Sequence, residues 1–298
     1  MPHDPTPPAI RTNASFKIAI GLNVLIVAMQ AVYGILSHSV ALVADAGHNL
    51  TDVLSLLFAL GANILAARPP TKKRTYGFRR TTILAALLNA MILLVATGAI
   101  LFAAIERLRN PMPVNGETVA IIAGIGIVLN GLSAWLFARG RKGDLNVKAA
   151  FLHMAGDAAV SAGVVIAGLI IIWTGALWVD PLMSIVIAIV IVAGTWSLLR
   201  DSFNLAADAV PEGIDPTAIE SYLRGLDAVT DVHDLHIWGM STTQIALTAH
   251  LIVRQQASED ALLALIVCTM RDQYGIEHTT IQIERGALEC ELASNQVV

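Results

Sequence analysis

The chain has 298 residues, of which 55% are hydrophobic and only 14% charged, against about 25% charged for a soluble domain. Its mean hydropathy is +0.67, and so little charge cannot cover a water-soluble fold of this length, which argues against an ordinary soluble enzyme, a nucleic-acid binder or a disordered chain. Two cysteines exclude a disulfide framework and a Cys-rich metal cluster.

The net charge of −4 hides a division near residue 207. Residues 1–207 carry 15 Lys and Arg against 9 Asp and Glu, a net +6, while residues 208–298 carry 4 against 14, a net −10. This predicts a membrane body followed by an acidic soluble domain. The opening MPHDPTPPAIRTN is polar and Pro-rich and reads as a disordered tail over 1–14. No short apolar core with a cleavage site follows it, so no signal peptide is expected.

Six stretches reach the roughly 20 apolar residues that a span needs: 15–36, 40–66, 81–105, 118–138, 149–173 and 178–199. They predict a transmembrane domain of six helices over 15–200. The second–third connection holds Arg68, Lys72, Lys73, Arg74, Arg79 and Arg80. The fourth–fifth holds Arg139, Arg141 and Lys142, with Lys148 beside it. The third–fourth has Arg107 and Arg109 offset by Glu106 and Glu117, and the other two have no Lys or Arg. By the positive-inside rule both termini are expected in the cytoplasm.

A charge at mid-membrane costs about 2.5–3.5 kcal/mol even on the lenient insertion scale, so the ionisable residues inside spans need a reason. Span two contains Asp45, His48 and Asp52, and span five contains His153 and Asp157. In each span a His and an Asp are four residues apart, hence on one helix face. Two facing helices would supply two imidazole nitrogens and two carboxylate oxygens, a tetrahedral set that suits zinc. The plain alternative is a His–Asp hydrogen bond within each helix. No HExxH motif or Ser/Cys nucleophile context supports an intramembrane hydrolase. Asn23, Asn89 and Asn130 read as interhelical hydrogen-bonding residues, and Gly124, Gly126, Gly163 and Ala167 as packing sites. Asp45 could accept a proton or pack helices, and the sequence does not choose.

Residues 201–215 read as a linker ending in the Pro211-Glu212-Gly213 turn. Asp215-Pro216 reads as an N-cap followed by Pro at the first helical position, opening a helix to about Asp227. VTDVHDLHIWGM and QIALTAHLIV read as strands, SEDALLALIVCTMRDQYG as a helix capped by Ser258 and ended by Gly275, and HTTIQIE as a third strand. The order αββαβ over 216–290 predicts an α+β ferredoxin-like domain with two helices on one face of a small, mainly antiparallel sheet, followed by a tail over 291–298. His233, His236, His250 and His278 fall here. On a regular strand His233 and His236 face opposite ways and cannot share one metal without a bulge. His233 and His250 from adjacent strands, with Glu284 from the third, could converge on a second zinc; ordinary surface histidines are the alternative. Cys268 reads as core packing, and Cys290 as a ligand available to a neighbouring chain.

Several stretches together resemble the cation diffusion facilitators, in particular their bacterial zinc-exporting branch: SVALVADAGHNLTDVLSLLFAL, YGFRRTTILAALLNA, HMAGDAAVSAGVV, WVDPLMS, AVPEGID, HDLHIW and TIQIE. They cover nearly the whole chain in the expected order. The resemblance implies six spans, a cytoplasmic metallochaperone-like domain, a homodimer in the bacterial inner membrane, and export of divalent metal in exchange for protons. It carries His48, Asp52, His153 and Asp157 over as the transport site, and His233, His250 and Glu284 as cytoplasmic metal positions. Zinc is the implied substrate and a regulatory ligand of the tail, with Co or Cd as secondary substrates. The partners implied are membrane lipid, metal, protons and a second copy of the chain, and no nucleic acid. Two family features are missing: Asp and His ligands in the second–third connection, and a His-rich connection between spans four and five. Gln282 stands where some members have His, against a two-metal tail cluster. A membrane zinc sensor or scaffold that binds without transporting is the competing reading.

Overall fold

A computed structural model describes residues 14–138, 145–254 and 258–285. The expected tails at 1–14 (up to residue 13) and 291–298, the basic residues Arg139, Arg141 and Lys142, and Cys290 lie outside the described residues. Six long helices come first: α1 (Ala14–Leu36), α2 (Val40–Ala66), α3 (Thr81–Arg109), α4 (Gly116–Ala138), α5 (Leu145–Thr174) and α6 (Val179–Ala206). All six are long and apolar enough to cross a membrane. The C-terminal part follows as α7 (Pro216–Arg224), β1 (Val229–Gly239), β2 (Ile245–Val253), α8 (Glu259–Tyr274) and β3 (His278–Glu284).

The chain divides into two compact units, residues 1–60 with 88–197, and residues 61–87 with 198–298. The first holds most of the helical bundle. Its core gathers Ala41, Leu42 and Ala44 of α2, Val119, Ile122 and Ala123 of α4, Val164, Ala167 and Ile171 of α5, and Ile187 and Ile191 of α6. Helices α4 and α5 approach closely at Gly168, where a Cβ would come within 2.9 Å of the Ala120 nitrogen and 3.0 Å of the Gly116 oxygen. Helices without a hydrophobic drive between them use such small residues to bring backbones together. The turn between α5 and α6 is made by Gly175 at φ 67°, a left-handed conformation that glycine adopts without penalty.

The start of α2 has an unusual cap. Its first N–H groups have no partner within the helix, and Ser39 and Asp180 satisfy them jointly. Leu42 N donates to Ser39 Oγ at 3.1 Å, and Val40 N and Ala41 N donate to Asp180 Oδ2 at 2.7 and 3.4 Å. Ser39 Oγ in turn donates to Asp180 Oδ1. Asp180, in the first turn of α6, is fully buried.

In the second unit α6 runs to Ala206, beyond the expected end of the sixth span, and the chain then turns at Asp208 with φ 57°. Arg80 pairs with Asp208, Thr242 N donates to Thr82 Oγ1 at 3.1 Å, and the Tyr76 ring meets His278 edge-on at 5.6 Å. The order αββαβ is as expected, with strands arranged β1-β2-β3. The sheet is mixed rather than mainly antiparallel: β1 pairs antiparallel with β2, and β2 pairs parallel with β3. A parallel neighbour needs a crossover, and α8, 16 residues long, supplies it by returning the chain to the end where β2 began. Ile219 and Leu223 of α7 and Leu262, Ile266 and Met270 of α8 close a core with Val232, Ile237, Leu247, Ala249 and Leu251. Each large side chain fully buried there contributes about 1.5–3 kcal/mol.

Asp215 caps α7 through Thr217 N at 2.9 Å and Ala218 N at 3.3 Å. The helix ends at Arg224 rather than near Asp227, with Gly225 as its C-cap, and the Arg224 guanidinium donates to Asp231 and the Val232 carbonyl on β1. Ser258 occupies the N-cap position of α8 without a side-chain cap bond. Cys268 is exposed, not in the core. The buried stripe of α8 is Leu262, Ile266, Thr269 and Met270, and position 268 lies off it.

Candidate metal-transport site

Helices α2 and α5 bring the four predicted membrane ligands together, and the two shortest pairings run across the helices. His48 Nε2 lies 3.3 Å from Asp157 Oδ1, and His153 Nε2 lies 3.3 Å from Asp52 Oδ2. His153 Nε2 is also 3.8 Å from Asp157 Oδ2. One ligand atom each from His48, Asp52 and Asp157 falls within 4.8 Å of the others. Among the described residues, Asp52 Oδ2 and Asp157 Oδ2 are buried and form no well-aligned hydrogen bond, the His153 imidazole being their nearest partner. Zinc bonds of about 2.0–2.1 Å to N and O give a tetrahedron with edges of roughly 3.3 Å, the separation of both crossed pairs. His48, Asp52 and Asp157, with His153 beside this trio, form a mixed nitrogen and oxygen donor set that suits a divalent cation.

The uncharged residues adjoining this cluster escaped the sequence reading. Asp45, one turn before His48, accepts from Gln30 Nε2 of α1 at 2.5 Å and from Ser161 Oγ of α5 at 3.0 Å. Asn49 Nδ2 donates to Gln30 Oε1 at 3.1 Å. Gln30, Asn49 and Ser161 are common in helices, so their only sequence signal was spacing: Ser161 follows Asp157 by the same four residues that separate His153 from Asp157. Of the three asparagines expected to bond between helices, Asn89 does, donating to Ser55 Oγ at 2.7 Å. Neither amide atom of Asn130 has a partner among the described residues. His38 is exposed in the α1–α2 turn with φ 57°.

The second cluster lies on the C-terminal sheet. His233 pairs with His250 in register, but the next pairing joins His236 to Thr248, so β1 carries one extra residue there. This β-bulge centres on Asp234, whose φ is 51°, and it places His233 and His236 on one face. That face is the one away from α7 and α8, and it also carries His250, Gln282 and Glu284. His250 Nδ1 is 3.1 Å from Glu284 Oε1 and its Nε2 is 3.4 Å from Asp234 Oδ2. His233 Nε2 is 3.4 Å from Glu284 Oε2. His233, His250 and Glu284 each offer a ligand atom within 4.8 Å of the others. His233 is buried, and among the described residues its ring nitrogens have no hydrogen-bond partner. His236 stays outside that trio, 2.8 Å from Asp234 Oδ1. His278 pairs with Ala246, four residues along β3 from Gln282.

Residues 16–205 match the cation efflux transmembrane domain, and residues 211–286 match the cytoplasmic domain of cation efflux proteins. The zinc transporter ZitB of Escherichia coli K12 is 42% identical over 268 residues, covering 89% of this chain and 85% of the relative. The metal cation efflux system protein CzcD of Cupriavidus metallidurans is 34% identical over 276 residues, covering 92% and 87%. A cadmium, cobalt and zinc/H(+)-K(+) antiporter of Bacillus subtilis is 36% identical over 263 residues, covering 87% and 85%. With both family domains matched over most of its length, the chain belongs to the cation diffusion facilitator family of cation efflux transporters.

Proposed function

We propose that this protein exports zinc from the cytoplasm across the bacterial inner membrane in exchange for protons. The observation that carries this reading is the crossed pairing of His48 with Asp157 and His153 with Asp52, each at 3.3 Å, in helices long enough to span a membrane. A His–Asp bond within each helix would not need the two helices to face each other.

Metal binding requires neutral imidazoles and ionised carboxylates, so zinc and protons compete for the same four side chains. Zinc enters from the cytoplasmic side, where both termini lie. When the bundle rocks and exposes the site outward, protons displace the metal. His153 and Asp157, with His48, return them. Two imidazoles and two carboxylates favour Zn²⁺ over Mg²⁺ or Mn²⁺, which prefer all-oxygen sets, and admit Co²⁺ and Cd²⁺.

The protein works as a homodimer with the two acidic C-terminal domains in the cytoplasm. Domains of about −10 each repel at low ionic strength. Zinc on His233, His250 and Glu284 cancels part of this charge and draws them together when cytoplasmic zinc is high. A sensor that binds without transporting would suit this tail cluster alone, but has no use for ligands in mid-membrane. Zinc flux into proteoliposomes under an imposed pH gradient tests the proposal. Wild type should transport zinc and Asp157→Ala should not; zinc that binds both proteins and crosses with neither supports the sensor.

A further inference from the structure

The polar stripes of α2 and α5 continue past the metal ligands. On α5 the stripe is His153, Asp157, Ser161, and on α2 it is Asp52, His48 with Asn49, then Asp45. Exposure falls to zero at the far end of both, with His48 at 17% level with Asp52 on α2. The side chains of His153 and Asp52 are 44% and 16% exposed and that of Asp157 is 2%, while Ser161, Asp45 and Asn49 are 0% exposed and Gln30 is 1%. The ligand cluster is therefore open towards the C-terminal half of α2 and sealed towards its start.

The seal is a hydrogen-bonded knot. Asp45 Oδ2 accepts from Gln30 of α1 and Ser161 of α5 together, and Asn49 ties Gln30 back to α2. Helix α4 closes over it at Gly126, where a Cβ would come within 3.2 Å of both Gln30 Nε2 and Ser161 Oγ. Three helices are tied at one carboxylate, one turn beyond His48 and Asp157, and a fourth packs against its two donors. The other oxygen, Asp45 Oδ1, is buried without a partner among the described residues. A fully satisfied network would lock the bundle; an orphaned carboxylate oxygen in a low-dielectric interior keeps the closed arrangement from being too stable to open.

From this arrangement we infer that Asp45, with Gln30 and Ser161, is the outer gate of the transport path: a positioning residue that holds α1 and α5 against α2 while zinc loads from the other side, and that must release them before zinc can leave. This rests on the transport-site reading above. Among the described residues, the hydrogen bonds to Asp45 Oδ2 come from the neutral donors Gln30 and Ser161, which suits a latch rather than a fifth ligand.

The test uses the full chain with Cys268 and Cys290 replaced by Ser. Asp45→Asn, Gln30→Ala and Ser161→Ala are compared for zinc flux and zinc affinity with His48 in place. Each is then combined with His48→Cys, and the introduced thiol is labelled by a membrane-impermeant maleimide applied from the periplasmic side of spheroplasts. Asp45→Asn keeps the side-chain volume, and the two neutral replacements cover the case in which it does not fold. Each is expected to keep the KM for zinc within about threefold and lower maximal flux about tenfold. Each should also make the thiol at position 48 react from outside at least about tenfold faster than with the knot intact. A merely structural role would leave labelling from that side unchanged, and unchanged labelling in all three overturns the gate. Loss of zinc affinity in Asp45→Asn as large as in Asp157→Ala makes Asp45 a ligand and also overturns it. Zinc affinity intact in His48→Ala removes the transport site itself, and the gate with it.

Discussion

Replacing Asp180 by Ala should loosen the start of α2 and with it the metal site. Asp180 accepts from Ser39 Oγ, from Val40 N at 2.7 Å and from Ala41 N at 3.4 Å, with no exposure to solvent. Hydrogen bonds to a charged group contribute about 1.5–3 kcal/mol each, and the Ala41 bond is long enough to count for little. Losing the other two and leaving a buried N–H unpartnered costs roughly 3–5 kcal/mol. For a chain of this size about 1 kcal/mol moves the midpoint by roughly 2–4 °C, so Asp180→Ala should lower the thermal midpoint in detergent by about 6–20 °C. Asp180→Asn keeps one acceptor oxygen and should fall roughly halfway, and Ser39→Ala, which removes the Leu42 cap, should cost about 1 kcal/mol. Hydrogen exchange supplies a local check, because the Val40 and Ala41 amides should lose protection before the rest of α2. A midpoint within about 2 °C of wild type, with those amides still protected, would refute the cap.

Three further outcomes follow from the two clusters and the sheet. His48→Asp replaces a nitrogen ligand by oxygen and should raise the cadmium-to-zinc flux ratio by about tenfold, a difference of ~1.4 kcal/mol; equal responses of the two metals would remove the selectivity argument. Glu284→Gln removes the only carboxylate of the tail trio and should weaken tail zinc binding by about 10–100-fold. It should also abolish zinc-driven closure between spin labels on the two tails, and closure that survives would place the tail metal elsewhere. Arg224, bonded to Asp231 Oδ1 at 2.5 Å, holds the Asp231 carboxyl below its ordinary value. The folded value lies below the unfolded one, so this contribution is complete above about pH 4 and lost as pH falls through the folded value. Both partners are about half exposed, so it is worth at most about 1 kcal/mol. Arg224→Met should lower stability slightly at pH 7 and by less at pH 3, and an equal loss at both would assign the effect to packing.

Much of the architecture was legible because hydropathy and charge write it directly. Lys and Arg cluster between apolar runs of fixed length, and alternation marked the second and third strands. The candidate membrane cluster was legible too, since a His and an Asp four apart in a span are costly enough to stand out. Its crossed pairing was not, because spacing within one helix says nothing about how two helices rotate against each other. The bulge at Asp234 was also invisible: HDLH alternates like any strand, and only the pairing with Thr248 reveals the extra residue that turns His236 to the face of His233. The parallel β2–β3 pairing depends on where α8 delivers the chain. Cys268 sits among apolar neighbours in sequence, yet on the exposed side of α8. The Ser39–Asp180 cap joins residues 141 apart, a contact that no local pattern announces.

The central claim is that one His/Asp site between α2 and α5 carries zinc in one direction and protons in the other. The most direct test records zinc and pH inside the same proteoliposomes, with wild type and Asp157→Ala reconstituted at equal density. Zinc entry in wild type should be accompanied by proton movement in the opposite direction, and Asp157→Ala should lose both while its tail still binds zinc. Zinc entry without counter-movement of protons, or a zinc-dependent proton flux that persists in Asp157→Ala, would contradict the account.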